Sequence, residues 1–115
     1  MLRLPKGVPL FEKLDARELQ LDNIINKLAR GCFTGYAGIQ FQEATGIMVF
    51  ESGKLVSATF ENTQRERQND FEALNAIAEQ MLISNTSTLD VYRLSEDLTM
   101  CIHALLQGET RYKAQ

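Results

Sequence analysis

The sequence has few of the residues from which metal and cofactor sites are commonly built. Its 115 residues include one histidine, two cysteines and no tryptophan. Cys32 and Cys101 stand apart without C-x-x-C spacing, which leaves too few soft ligands for zinc. The acidic residues follow no calcium-loop spacing, and the glycines form neither G-x-x-x-x-G-K-S/T nor G-x-G-x-x-G. We therefore predict no metal site and no cofactor site.

Long apolar runs and an excess of basic charge are also lacking. No apolar stretch reaches the roughly eighteen residues of a membrane-spanning helix, and the opening LRLPKGVPL is too short an apolar run for a signal peptide. The formal net charge is −3 and the pI is about 5.1, which disfavours a general attraction to nucleic acid or to an anionic membrane. Two isolated cysteines suit a reducing compartment. We expect a cytoplasmic protein that binds neither nucleic acid nor membrane.

What is present is typical of one folded domain. Hydrophobic residues make up 44% of the chain and charged residues 23%, and a chain of this length buries about two thirds of its unfolded surface without needing a disulfide. We predict a single α+β domain over residues 1–108, in which residues 1–20 are partly extended. Residues 109–115 are predicted to be a polar tail or a linker.

Apolar periodicity predicts three helices and four strands. Helical spacing occurs in residues 19–31, 70–83 and 95–108, whereas strand-like patterns occur in 33–42, 46–50, 55–60 and 88–94. The order is α-β-β-β-α-β-α, which predicts an α+β fold with a four-stranded antiparallel sheet whose first three strands form a meander. Ser52 and Gly53 are predicted to form the turn between the second and third strands. The polar run ENTQRERQN, residues 61–69, is predicted to be a solvated loop.

Local signals refine the ends of these elements. Asp22 and Ser95 are predicted to cap the first and last helices, which end at Gly31 and Gly108. The buried side of the last helix is predicted to contain Leu98, Cys101, Ile102, Leu105 and Leu106. The segment GVPLFEKLDA, residues 7–16, is predicted to be extended, with Val8, Leu10 and Glu12 on one side and with Pro9 confining it to a sheet edge if it pairs.

A catalytic role would have to involve His103. On a helix, His103 and Cys101 point about 200° apart, so they cannot form a local nucleophile–base pair. Cys32 could meet His103 through the fold, but a cysteine more often serves as a small buried apolar residue. We predict no catalytic residues and interpret the protein as a non-enzyme.

The strand GIMVF, residues 46–50, is apolar on both faces. Either helices cover both faces, or one face is left for a partner. We name Met48, Phe50 and Phe60 as a possible interaction surface, because a homodimer could cover such a face. Arg65 and Arg67 are added as loop residues that could bind a phosphate or an acidic partner, although loop charges are usually only solvated.

The chain resembles the PATAN domain, the N-terminal module of PatA-type prokaryotic regulators. The resemblance rests on residues 25–28 (INKL), 33–35 (FTG), 46–58 (GIMVFESGKLVSA), 73–74 (AL) and 89–92 (LDVY). It covers about residues 20–106. The opening LPKGVP also resembles uncharacterised archaeal proteins related to this group. The polar insert TQRERQN departs from the PATAN pattern, which commonly has a short loop with glycine there.

This resemblance implies a non-catalytic signalling or regulatory module that interacts with a protein partner. It supplies no catalytic residues to carry over. The alternative interpretation is a small-ligand sensor with a pocket between the sheet and the C-terminal helix. The two interpretations make different demands on the fold, since the first needs an exposed contact surface and the second needs a cavity.

Overall fold

The computed structural model describes residues 7–16, 19–64, 66–83 and 86–114. The elements in chain order are β1 (Val8–Asp15), α1 (Leu21–Arg30), β2 (Gly35–Phe41), β3 (Ala44–Glu51), β4 (Lys54–Asn62), β5 (Arg67–Asn69), α2 (Asp70–Ile83), β6 (Ser87–Arg93) and α3 (Glu96–Ala114). The fold is α+β, but the predicted order α-β-β-β-α-β-α is wrong, because a strand precedes α1 and another follows β4.

All described strands belong to one six-stranded sheet with the order β1-β6-β2-β3-β4-β5. Every neighbouring pair is antiparallel. The prediction of a four-stranded sheet is therefore wrong, and the two strands it lacks are the two edges. β1 is an edge strand, as Pro9 indicates. β5 lies within the segment predicted to be a loop, because three polar residues can pair through their backbone without an apolar pattern.

Helices cover both faces of the sheet. Apolar residues of α1 and α2 pack on one face with Met48 and Phe50, whereas Ile102 and Leu106 of α3 pack on the other with Ile47 and Val49. The apolar character of both faces of β3 therefore reflects a three-layer packing rather than an uncovered face.

The β3–β4 turn is the predicted one, and it joins the hairpin to the end of α1. Ser52 and Gly53 have positive φ angles of 50° and 86°, a combination typical of tight hairpins. The Ser52 N–H donates to Thr34 Oγ1 at 2.9 Å, and the Gly53 N–H donates to the Phe33 carbonyl at 2.8 Å. A Cβ at position 53 would lie 2.6 Å from the Ala29 carbonyl oxygen, so glycine permits this close approach.

The helix ends follow the predictions in part. Ser95 caps α3, since its Oγ accepts the N–H of Leu98 at 3.2 Å, and α1 ends at Gly31 as predicted. Asp22 lies in the first turn of α1, which Gln20 precedes without a side-chain cap, so the predicted cap is wrong. α3 continues past Gly108 to Ala114.

The buried side of α3 also differs from the prediction. Ile102 and Leu106 are buried as predicted. Thr99 is buried although it was not predicted to be, whereas Leu98 is 37% exposed and Cys101 is exposed. The buried residues keep the helical spacing of three and four, but the stripe is rotated from the predicted one. Leu105 has a side chain outside the described part of the structure.

Candidate functional site: an apolar groove beside strand β1

A groove of about 520 Å³ lies between β1 and α1, on the face of the sheet that α1 and α2 cover. We call it the β1–α1 groove. Its lining comprises Leu10, Phe11 and Leu14 of β1, Leu19, Asn23, Ile24, Lys27 and Leu28 at and in α1, Gly31 and Phe33 after α1, and Leu89, Val91 and Arg93 of β6. The floor belongs to the main core, since Leu89 and Val91 are buried. α1 thus leaves the β1–β6 margin of the sheet open.

Irregular pairing of β1 brings three of its apolar side chains to this groove. Pro9 pairs with Tyr92, Phe11 with Val91 and Leu14 with Leu89, so the register shifts twice within the strand. Such bulges change the face to which the following side chains point. Leu10, Phe11 and Leu14 are exposed by 38%, 44% and 39%, although strict alternation would not place all three on one face.

Side-chain hydrogen bonds hold β1 where its ladder is broken. The hydroxyl of Tyr92 donates to Glu12 Oε2 at 3.1 Å. The backbone N–H of Lys13, a residue with a φ of 53°, donates to Asp90 Oδ1 at 2.8 Å. The expectation that Glu12 shares a side with Val8 and Leu10 is wrong, because Glu12 reaches Tyr92, which packs with the α3 face.

Two buried tyrosines, one on β2 and one on β6, lie on the face of the sheet that α3 covers. The Tyr36 and Tyr92 rings are paired across β2 and β6, with centroids 5.4 Å apart. Burial, with smaller contributions from Tyr92 and Asp90, raises the pKa of Tyr36 to about 12. Burial and then the hydrogen bond to Glu12 also raise the pKa of Tyr92. Both phenols are therefore neutral near pH 7 and act as packing and hydrogen-bonding groups.

The charge of the groove has one sign. Among the described residues, its charged lining consists of Lys27 and Arg93 and includes no carboxylate. Both side chains are exposed. Arg93 pairs with Gly35 and Val8 at one end of β6, whereas Leu89 pairs with Leu14 toward the other end. Lys27 lies one turn before Gly31, toward the end where Arg93 lies, so the groove is cationic at one end and mostly apolar elsewhere, with Asn23 as a polar lining residue.

Comparison with known proteins identifies a family. A family model described as "Uncharacterized protein conserved in archaea (DUF2226)" matches residues 2–106. The chain belongs to this archaeal family. That agrees with the resemblance of the LPKGVP opening to archaeal proteins. Searches of the curated proteins and of the solved structures found no match.

The residues that the sequence suggests as an interaction surface lie outside this groove in this member of the family. Met48 and Phe50 are fully buried and Phe60 is 8% exposed, so these three side chains form core rather than surface. Arg67 lies on β5, with its Nη2 3.7 Å from Glu61 Oε1, at the sheet edge opposite to β1. Arg65 lies outside the described residues. None of the four described residues lines the β1–α1 groove.

The candidate cysteine–histidine pair is separated by the sheet. Cys32 follows α1 on one face and His103 belongs to α3 on the other. Both cysteines are free and exposed. Over residues 7–16, 19–64, 66–83 and 86–114, no group of three or more metal-ligating side chains occurs. Nor does any helix in those ranges have the length and apolar character that a membrane crossing requires.

Sequence reasoning missed the groove although one signal for it was visible. The run VPLFEKL, residues 8–14, contains four aliphatic or aromatic residues within a segment that Pro9 assigns to a sheet edge. An apolar edge strand is unusual, because exposed edges tend to be polar or charged. The pattern could therefore have indicated a binding surface at β1, but the contribution of α1 and β6 depends on the tertiary fold.

Proposed function

We propose that this archaeal protein is a non-catalytic binding domain whose ligand site is the β1–α1 groove. The groove itself supports the proposal. It has the size of a ligand pocket, for which roughly 300–1,000 Å³ is usual, and it combines a mostly apolar lining with a few polar groups. The three β1 side chains that line it remain 38–44% exposed, so a bound apolar group would remove them from water.

This proposal keeps the class of a small-ligand sensor but changes the location. The ligand-sensor interpretation of the sequence predicts a pocket between the sheet and the C-terminal helix. The β1–α1 groove instead lies on the face covered by α1 and α2, opposite to the face on which α3 packs. A ligand in it would contact β1, α1 and β6.

A neutral solvatochromic dye, Nile red, tests the groove without reference to charge. We expect its fluorescence to rise on binding. A Leu14→Gln variant should weaken that binding, because the glutamine side chain places a polar amide in the apolar wall of the groove. Leu82→Gln is the matched control, since Leu82 is 87% exposed on α2 and does not line the groove. Equal binding by both variants, or no binding by the unmodified protein, would contradict the proposal.

A regulatory role is part of the same proposal. The resemblance to PATAN modules in residues 25–28, 33–35 and 46–58 supports a signalling context, in which ligand occupancy would be passed to a protein partner. The two free cysteines support a reducing, cytoplasmic location. Binding of such a ligand would be measured as an increase in the free energy of unfolding, since a ligand at 100 times its dissociation constant adds about 2.7 kcal/mol to it.

The exposed edge of β1 supports a second candidate, a protein-interaction domain. All eight residues of β1 are exposed, and an edge strand can pair with a strand of another chain or of a second copy. A homodimer would be isologous, with β1 facing β1. Light scattering at high micromolar concentration tests it: a dimer that Val8→Lys dissociates supports the edge contact, and a monomer contradicts the homodimer.

A further inference from the structure

The charge of the β1–α1 groove contrasts with the charge of the whole chain. Acidic residues outnumber basic ones by 15 to 12, yet the charged residues among the described lining are Lys27 and Arg93. Across the described part of the chain, neither side chain has an ion-pair partner. Two cations in one groove repel each other weakly, and a bound anion would remove that repulsion.

The charged lining residues and the apolar lining residues lie toward opposite ends of the groove. Lys27 and Arg93 lie at the end of the groove near Gly31 and Gly35, whereas Leu89 and Leu14 lie at the other end. From residue 89 to residue 93, β6 spans about 13 Å at roughly 3.3 Å per residue. The complementary ligand is therefore charged at one end and apolar over a length of that order.

The end of helix α1 does not prevent an anion from binding here. A helix C-terminus carries partial negative charge from its unpaired carbonyl groups. In this helix, however, the carbonyls of Lys27, Leu28 and Ala29 accept the N–H groups of Gly31, Phe33 and Cys32. The local field is then determined mainly by the two cationic side chains.

We propose that the groove binds a free single-chain amphiphile with one anionic head group. The head lies between Lys27 and Arg93, and the apolar chain lies over Val91 and Leu89 against the β1 side chains. This inference rests on the proposed function, since it names the ligand class of the same groove. Arginine and lysine both recognise carboxylates and phosphates, arginine through two parallel hydrogen bonds.

Three probes of equal chain length and different head charge test this assignment. Decanoate, decan-1-ol and decyltrimethylammonium are titrated below their micellar concentrations, with displacement of Nile red and calorimetry as readouts. We expect one decanoate per chain, weaker binding of the alcohol and the weakest binding of the cation. The affinity for decanoate should fall with added salt, because the two charges are exposed and screened, whereas the affinity for the alcohol should not fall.

Charge-removal variants identify the residues responsible. Lys27→Met and Arg93→Met keep most of the apolar stem, and each should weaken decanoate binding by about fivefold, which is the most that an exposed charge pair usually contributes. Binding of decan-1-ol should change by less than about twofold. Arg30→Met is the matched control, because Arg30 is exposed in the last turn of α1 but does not line the groove.

The outcomes separate this inference from the function on which it rests. If Nile red binds but decanoate binds no better than decan-1-ol, or the variants leave its affinity unchanged, the anionic head is refuted and the apolar groove remains. If Nile red also fails to bind, both proposals fail. Phosphatidylglycerol vesicles test the other source of such a head group: sedimentation of the protein with vesicles, without affinity for decanoate, would overturn the assignment to a free amphiphile.

Discussion

Replacing Gly46 with alanine would place a methyl group between strand β3 and helix α2. A Cβ at this position would lie 2.6 Å from Cγ1 and 2.8 Å from Cδ1 of Ile77. Ile77 is fully buried, so its side chain has little room to move. The close approach of α2 to the sheet therefore depends on the absence of a side chain at residue 46.

The magnitude follows from two opposing terms. Overpacking a core by a methyl group costs about 1–3 kcal/mol. Alanine recovers about 0.5–1 kcal/mol of the entropic cost of glycine in a strand. We expect Gly46→Ala to lower the free energy of unfolding by about 1–2 kcal/mol in urea titrations followed by circular dichroism, with an unchanged m-value.

A double-mutant cycle shows whether Ile77 is the cause. Ile77→Ala alone should cost about 2–5 kcal/mol through the cavity that it leaves. In the double variant the new methyl group occupies part of that cavity. The double variant should therefore lose less free energy of unfolding than the sum of the two single losses, with a coupling of about 0.5–3 kcal/mol. Ile77→Val removes Cδ1 but keeps the nearer Cγ1, and it should relieve the clash less.

Gly38 provides the matched control, because its Cβ would meet no atom closer than 4.0 Å. Gly38→Ala should be neutral or stabilise the protein by up to about 1 kcal/mol. Equal effects of alanine at the two positions, or strict additivity with Ile77→Ala, would refute the argument that Gly46 sets the distance between β3 and α2.

Four other changes test separate parts of the structure. Met48→Asp buries an unpaired carboxylate and should cost about 4 kcal/mol or more, so a folded variant in circular dichroism would contradict the burial of Met48. Ser95→Ala removes the α3 cap and should cost about 1 kcal/mol in urea. Tyr36 should ionise near pH 12 in absorbance titrations; because its pKa is raised above the unfolded value, its stabilising contribution is present below about pH 10 and is lost as the pH rises toward 12. Deleting residues 109–115 should change the unfolding free energy by less than about 0.5 kcal/mol, and a loss of several kcal/mol would show that this segment packs.

Periodicity predicted the elements that have one regular apolar face. Helices α1 and α2 and strands β2, β4 and β6 lie close to their predicted positions because their core residues repeat at spacings of 3.6 or two. Strand β3, which is apolar on both faces, lies close to its predicted position because a short continuous apolar run predicts a strand covered on both sides. In α3 periodicity located the helix and only part of its buried side, Ile102 and Leu106. Leu98 and Cys101 fit the stripe about as well as Thr99 does, and contact with the sheet decides between them.

The two edge strands were not predictable by the same rule. β5 consists of Arg67, Gln68 and Asn69, which have no apolar pattern, and its pairing with β4 depends on backbone groups. β1 has apolar residues, but its two register shifts break the alternation. The groove was harder still to predict, because it arises where α1 does not cover β1 and β6. The position of α1 over the sheet depends on the tertiary packing and not on a local sequence pattern.

The form of β1 favours the groove over the bare edge as the binding surface. A flat, regular edge strand offers an unbroken row of N–H and C=O groups to a partner strand, and bulges and proline disrupt such a row. β1 carries both, with Pro9, two register shifts and a positive φ at Lys13. The same irregularity directs Leu10, Phe11 and Leu14 into the groove. Because one set of features weakens strand addition and creates the groove, binding of a ligand by side chains explains the exposed apolar residues of β1 better than backbone pairing does.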